Sequence, residues 1–258
     1  MTPLVDTNVY VGPWPFRRLA GEDPRQLVAK LRAAGVTQAW TGSFQGVFHR
    51  DVAAANEMLA EVCRAHGRGL LVPFGSINPT LPDWRHDLDR CREKHDMPGV
   101  RLHPNYHGYT LDADAFQDVV AAAVERDLVV QLVVRMEDER TQHPMFRVPR
   151  LDCQPLAAVV RRHPRLRLTV LGALGALALA DAADVAASGQ VCFDIAMLEG
   201  VGGVRRLVDQ IGSEHVVFGS HALLFYFESA ALKLRESELG GLQREAIRAG
   251  NARRLLAT

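Results

Sequence analysis

Residues 4–11 read Leu-Val-Asp-Thr-Asn-Val-Tyr-Val, and the fold is read outward from this stretch. Asp6, Asn8 and Tyr10 alternate with Val5, Thr7, Val9 and Val11, the pattern of a strand with polar side chains on one face. Comparable apolar runs recur at 38–41, 69–75, 99–103, 128–134, 166–171, 191–196 and 216–220. Helical patterns separate them at 24–34, 51–65, 82–93, 112–126, 154–162, 174–187, 202–211 and 222–234, and a last helix spans 242–256. Asp23-Pro24, Leu81-Pro82 and Asp112 supply helix-start chemistry. Strict strand–helix alternation requires a parallel sheet. Eight units predict a (β/α)8 TIM-like barrel closed by an extra C-terminal helix.

The bulk composition agrees. The chain has 258 residues, of which 48% are hydrophobic, and no linker or charge block divides it, so 1–258 reads as a single domain. Thirty Lys and Arg balance thirty Asp and Glu, which leaves no global field to recruit nucleic acid or an anionic membrane. Cys63, Cys91, Cys153 and Cys192 are far apart and form no Cys-x-x-Cys pair, as expected of reduced thiols. With no signal-like opening, the expectation is a cytoplasmic protein. The apolar stretch 168–180 contains Gly172 and Gly175 and falls short of the roughly 20 residues a membrane span needs.

Barrel chemistry sits in the loops after the strand C-termini, and this rule selects the candidates. Strand four ends Val100-Arg101-Leu102-His103, which puts Arg101 and His103 on one face. There an arginine fork suits a carboxylate and an imidazole suits proton transfer; an internal ion pair and a structural histidine explain the same residues. After strand five, Arg135-Met136-Glu137 and His143 lie in the densest charged stretch of the chain, either a polar site or a solvated loop. Asp194 interrupts an apolar strand and therefore needs partners: Arg101, an imidazole at His221, or a neighbouring strand. Asp6 has the same ambiguity. The loop Gly12-Pro13-Trp14-Pro15-Phe16-Arg17-Arg18 suits a pocket cover or a subunit contact, which leaves a homo-oligomer open.

Together, the barrel pattern, Asp6-x-Asn8-x-Tyr10 and Val217-Phe218-Gly219-Ser220-His221 resemble the amidohydrolase-related branch (amidohydrolase 2) of the amidohydrolase superfamily. That branch comprises metal-dependent hydrolases and nonoxidative decarboxylases of small carboxylated compounds, often aromatic. Its first strand reads Asp-x-His-x-His, and Asn8 and Tyr10 stand at the two histidines. Its eighth strand reads Phe-Gly-Ser-Asp, and His221 stands at the aspartate. Val133 and Ala173 take the histidine places of strands five and six. The resemblance implies the fold but not the ligands. A catalytic zinc needs about three protein ligands at ~2.0–2.2 Å, which these residues do not make.

The sequence is therefore read as a hydrolase or lyase acting on a small anionic substrate at the barrel mouth, without the family-type metal centre and with no cofactor. His221 and His103 are the expected general acid/base, with Asp194 or Glu137 orienting an imidazole. Arg101 and Arg135 bind substrate oxygens, and Asn8, Tyr10 and His143 complete the binding set. A second reading, from another class, is a catalytically silent barrel that binds a metabolite or a protein partner. A third keeps a divalent metal such as zinc on relocated ligands. It requires three of His103, Glu137, His143, Asp194 and His221 within coordination distance.

Overall fold

The computed structural model describes residues 3–257; residues 1, 2 and 258 of the span read as one domain lie outside it. The strands are β1 (Val5–Val11), β2 (Gln38–Ser43), β3 (Leu71–Ser76), β4 (Gly99–Leu102), β5 (Val129–Val133), β6 (Arg167–Leu171), β7 (Gln190–Asp194) and β8 (Val216–Val217). They form one eight-stranded sheet in sequence order, and every neighbouring pair is parallel. The ends of the sheet meet where Thr7 N donates to Phe218 O at 2.9 Å and Tyr10 N donates to Ala222 O at 2.7 Å. The result is the (β/α)8 barrel that the alternation predicts.

Side-chain parity follows the pleat. In β5, Val129, Gln131 and Val133 point inward, while Val130 and Leu132 join the layer between barrel and helices. β1 departs from this rule, because Val5 and Tyr10 both face inward although they are five residues apart. A register shift between Asp6 and Val9 absorbs the mismatch, as a bulge does. The helix expected from 174 begins instead at Leu179, because Gly172 and Gly175 hold positive φ values of 65° and 93° in a loop before it. β8 is also shorter than expected, ending at Val217.

The two ends of the barrel are closed differently. At the N-terminal end, Val5, Trp40, Phe74, Val129, Cys192 and Val217 form an apolar plug, covered by Ala249, Ala252 and Leu255 of the last helical segment. Arg167 fastens that segment by donating to Leu255 O at 3.0 Å. Asn251 Nδ2 fastens it again by donating to Val216 O at 2.7 Å. The four cysteines are free and buried. Among the described residues no helix is long and apolar enough to cross a membrane.

Candidate functional site

At the C-terminal end the inward positions turn polar. Below the mouth lies Arg101, fully buried, whose Nε and Nη2 donate to Gln131 Oε1 at 2.9 and 2.7 Å. Its Nη1 and Nη2 also reach Val9 O and Trp40 O at 3.0 and 3.1 Å, and its guanidinium lies 4.4 Å from the Tyr10 ring centroid. The fork is thus spent on Gln131 and backbone carbonyls, and it ties the barrel wall together under Tyr10. Asp194 and Arg101 both face the lumen, yet they do not form the pair that the sequence left open.

Asp194 is held instead by Asn8 and Gly172. Asn8 Nδ2 donates to Asp194 Oδ2 at 2.8 Å, and Gly172 N donates to Oδ1 at 2.8 Å. The same Asn8 Nδ2 lies 2.9 Å from His221 Nδ1. His221 Nε2 lies 2.8 Å from Met136 O, and a carbonyl can only accept. The proton therefore sits on Nε2, and Nδ1 accepts from the amide. Burial pushes the His221 imidazole down to about 3, so it is neutral at ordinary pH. Burial pushes Asp194 up to about 6, partly offset by the Asn8 and Gly172 donors. Asp194 thus orients His221 only through the amide of Asn8.

A second pair lies alongside. Tyr10 Oη and His103 Nε2 are 3.1 Å apart, and burial holds His103 well below the usual histidine range. The Tyr10 ring sits edge-on to His221 at 5.5 Å, which joins the two pairs. Asn8 Oδ1 and His103 Nδ1 are both buried without a hydrogen-bond partner. Leaving such atoms unpaired costs about 1–3 kcal/mol each, so they mark where a ligand gains most.

Aromatic rings roof this cluster. Tyr10 stacks on Phe44 at 4.8 Å, and Trp14 packs against Phe44, Phe48 and Phe16 at 5.0, 5.2 and 5.7 Å. Phe146, from the long loop after β5, lies 5.1 Å from Phe16. Glu137 is clasped by Arg17 and so links this loop to the one after β1; it bonds neither imidazole. His143 packs on Phe16 at 5.6 Å on the outer side of the roof, away from His221. Arg135 reaches Met197 Sδ at 3.1 Å and Leu174 O at 3.4 Å, beside the roof. Asp6 holds the β1–β8 seam, where its carboxylate accepts from Ser220 N and Oγ at 2.9 and 2.5 Å.

The structure thus gathers Asn8, Tyr10, His103, Asp194 and His221, sets Arg101 beneath them, and places Glu137, Arg135 and His143 around the rim. Three participants were not picked out from sequence. Gln131 had a signal, as a lone amide at an inward position of an apolar strand. Phe48 and Phe146 had none, since only the loop packing brings them together.

A family model described as Amidohydrolase matches residues 6–258. No curated protein matches the chain. Among solved structures, 5-carboxyvanillate decarboxylase from Sphingomonas paucimobilis superposes with a TM-score of 0.76 at 14% identity, covering 99% of both chains. A dihydroxybenzoic acid decarboxylase from Polaromonas sp. JS666, with bound manganese and 2-nitroresorcinol, gives 0.73 at 13%, covering 99% of this chain and 97% of that one. The manganese-bound 5-carboxyvanillate decarboxylase from Novosphingobium aromaticivorans gives 0.73 at 12%, covering 98% and 95%. At these identities the likeness is one of fold.

The manganese in these structures overturns the expectation that no cofactor belongs in such a barrel. The relocated ligand set is corrected as well. Among the described residues, no three His, Cys, Asp or Glu side chains group to hold a metal ion. Glu137 is turned to Arg17 and His143 lies outside the roof. Between Asp194 and His221 stands the Asn8 amide, a donor to both. As arranged, these residues do not fit the divalent metal that the similar structures carry.

Proposed function

The chain belongs to the amidohydrolase family, and from that premise we propose that it is a lyase or hydrolase acting on a small aromatic carboxylic acid at the C-terminal mouth of the barrel. One observation carries the reading: Asn8 Oδ1 and His103 Nδ1 are unpaired and fully buried within a cluster of proton-transfer groups, under a roof of aromatic rings. Buried polar atoms without partners are rare in folded proteins, and these two lie at the end of the barrel that carries chemistry. Aromatic walls with a few convergent polar groups suit a flat, anionic ring. The decarboxylases of similar fold support the same substrate class.

In this proposal His103 and Tyr10 are the proton-transfer pair. Tyr10 Oη holds His103 Nε2, which leaves Nδ1 as the open nitrogen at which the imidazole accepts a proton from a bound substrate or, in the other tautomer, donates one to it. His221, fixed as its Nε2–H tautomer, and Asp194 share Asn8, and any shift of that amide changes both at once. Arg101 supplies a fixed positive charge beneath the Tyr10 ring. Admission of a substrate requires the roof to part, and the Arg17–Glu137 clasp is the contact to break.

The test is turnover of a panel of hydroxybenzoates and methoxybenzoates, followed by ring absorbance and carbon dioxide release, with manganese supplied. Loss of substrate that slows on His103→Gln is the expected result. No turnover across the panel by folded protein would move the assignment to a silent barrel. The closed roof, with the cluster shut beneath it, favours that second reading.

A further inference from the structure

We propose that the cavity between the loops after β5, β7 and β8 is an oxyanion subsite in which Arg135 and Lys233 together receive a small carboxylate. The cavity measures about 300 Å³, at the lower end of the range of small-molecule sites, and opens beside the roofed cluster. Its walls include Arg135, Met197, Phe225 and Lys233, with Asp138 and Glu199 at the edge. Phe225 connects it to the site, since its ring lies 5.3 Å from the ring of His221.

Both cations are half-buried, and among the described residues neither has a carboxylate partner. Arg135 contacts only a thioether at 3.1 Å, a weak acceptor, and a carbonyl at a long 3.4 Å. Lys233, on the helix Phe227–Glu236, donates to Ala196 O at 2.6 Å and, at 3.4 Å, to Ile195 O. An ammonium has three protons, so its donor capacity is not exhausted. Burial pulls the Lys233 ammonium below the ordinary lysine value, and the carboxylates of Asp194 and Glu199 offset this only in part. Neither acid at the edge is an ion-pair partner of Lys233: Asp138 is occupied by Arg140 at 2.6 Å, and Glu199 acts on the ammonium only from beyond ion-pair distance. Two partly desolvated cations facing one cavity attract an anion of matching size.

The backbone leaves room for this arrangement. A Cβ on Gly172 would lie 2.4 Å from Arg135 O and 3.3 Å from Met197 Sδ. Glycine there lets the loop after β5, which carries Arg135, close onto the β6 loop, which brings the guanidinium to the cavity. Lys233 comes from a surface helix on the far side of β8, where no sequence pattern marks it. The identity of the carboxylate rests on the function proposed above; the cavity and its two cations do not.

Calorimetric titration with benzoate, and separately with inorganic phosphate, tests the proposal on wild type, Lys233→Met, Arg135→Met and Lys233→Arg. Benzoate should bind wild type, lose about tenfold or more in affinity in each methionine variant, and hold within about threefold in Lys233→Arg. Unchanged affinity in both folded methionine variants overturns the subsite, as does no benzoate binding to wild type. Phosphate bound more tightly than benzoate overturns the carboxylate assignment. If Lys233→Met fails to fold, Arg135→Met alone decides. Benzoate bound here with no acid turned over sinks the proposed reaction and leaves the subsite standing. Turnover whose KM is unmoved in both variants does the reverse.

Discussion

The two ends of this barrel are both shut, but by opposite means. The lower end is filled by Trp40, Phe74 and their aliphatic neighbours, capped by small side chains of the last helical segment and pinned by Arg167 and Asn251. The upper end is filled by groups that want partners, namely Asn8, Tyr10, His103, Asp194 and His221, under rings contributed by loops. In the lower plug the filling side chains are mostly apolar and the indole N–H is paired, Trp40 Nε1 donating to Gln38 Oε1 at 3.3 Å, whereas the mouth keeps Asn8 Oδ1 and His103 Nδ1 without a partner. The lesson is a division of labour within one cylinder. The lower plug gains stability from apolar burial, and the mouth gives some of that up to keep polar groups in a dry place.

The sharpest way to break this comparison is at the plug. Trp40→Ala should cost about 3–5 kcal/mol in denaturant unfolding, because Trp40 is fully buried and stacked on Phe74. Specific activity per folded molecule should hold, and a selective loss of activity would erase the distinction between the ends. At the mouth the order reverses. His103→Gln should lower kcat by about a hundredfold with a smaller change in stability, read by parallel kinetics and melting.

The seam between β1 and β8 gives a pH signature. Asp6 is pushed up to about 7 by burial, so the folded state holds its proton more tightly than the unfolded chain does. Its contribution is present at low pH and is lost as pH rises from about 4 to about 7. Asp6→Asn should flatten that part of the stability–pH curve. His221 works in the other direction. With its folded value near 3, its contribution is present above the ordinary histidine range and lost as pH falls towards 3.

A smaller effect is expected at Asn8. Asn8→His would put a third ligand, an imidazole nitrogen, beside Asp194 and His221, and elemental analysis should then show about tenfold tighter manganese retention than wild type. The smallest is Arg17→Ala. Arg17 is exposed but Glu137 is buried, so loss of the clasp should cost about 1 kcal/mol of stability while speeding exchange of the amides in residues 138–150.

How much of this could be read from sequence depended on periodicity. The eight strands, the order of the sheet and the closing segment followed from alternation, because a parallel barrel repeats one unit and the pleat dictates which residues face in. Arg101, His103 and Asp194 were found at inward positions for that reason. The bulge in β1 escaped, since an inserted residue leaves no mark in an alternating string, yet it is what brings Tyr10 inward above Val5. The pairing of Asp194 with Asn8 rather than Arg101 also escaped, being settled by lateral distances across the lumen that no one-dimensional pattern carries. Glu137 read as an orienting acid because it follows a strand, and only the folded loops bring Arg17 to it. The absence of a cofactor was inferred from replaced ligands, and the manganese of similar structures shows the limit of that inference.

The Asn8 amide between Asp194 and His221 also has a genetic consequence. Asparagine and tyrosine codons each lie one nucleotide from a histidine codon, and a histidine codon lies one nucleotide from aspartate. Asn8, Tyr10 and His221 are thus each a single base change away from the residue that the resembling strands carry at that place. The code therefore sets no barrier between the two versions of this site. What separates them is the hydrogen bonding itself, in which a change at Asn8 alone would leave both of its partners to find another donor.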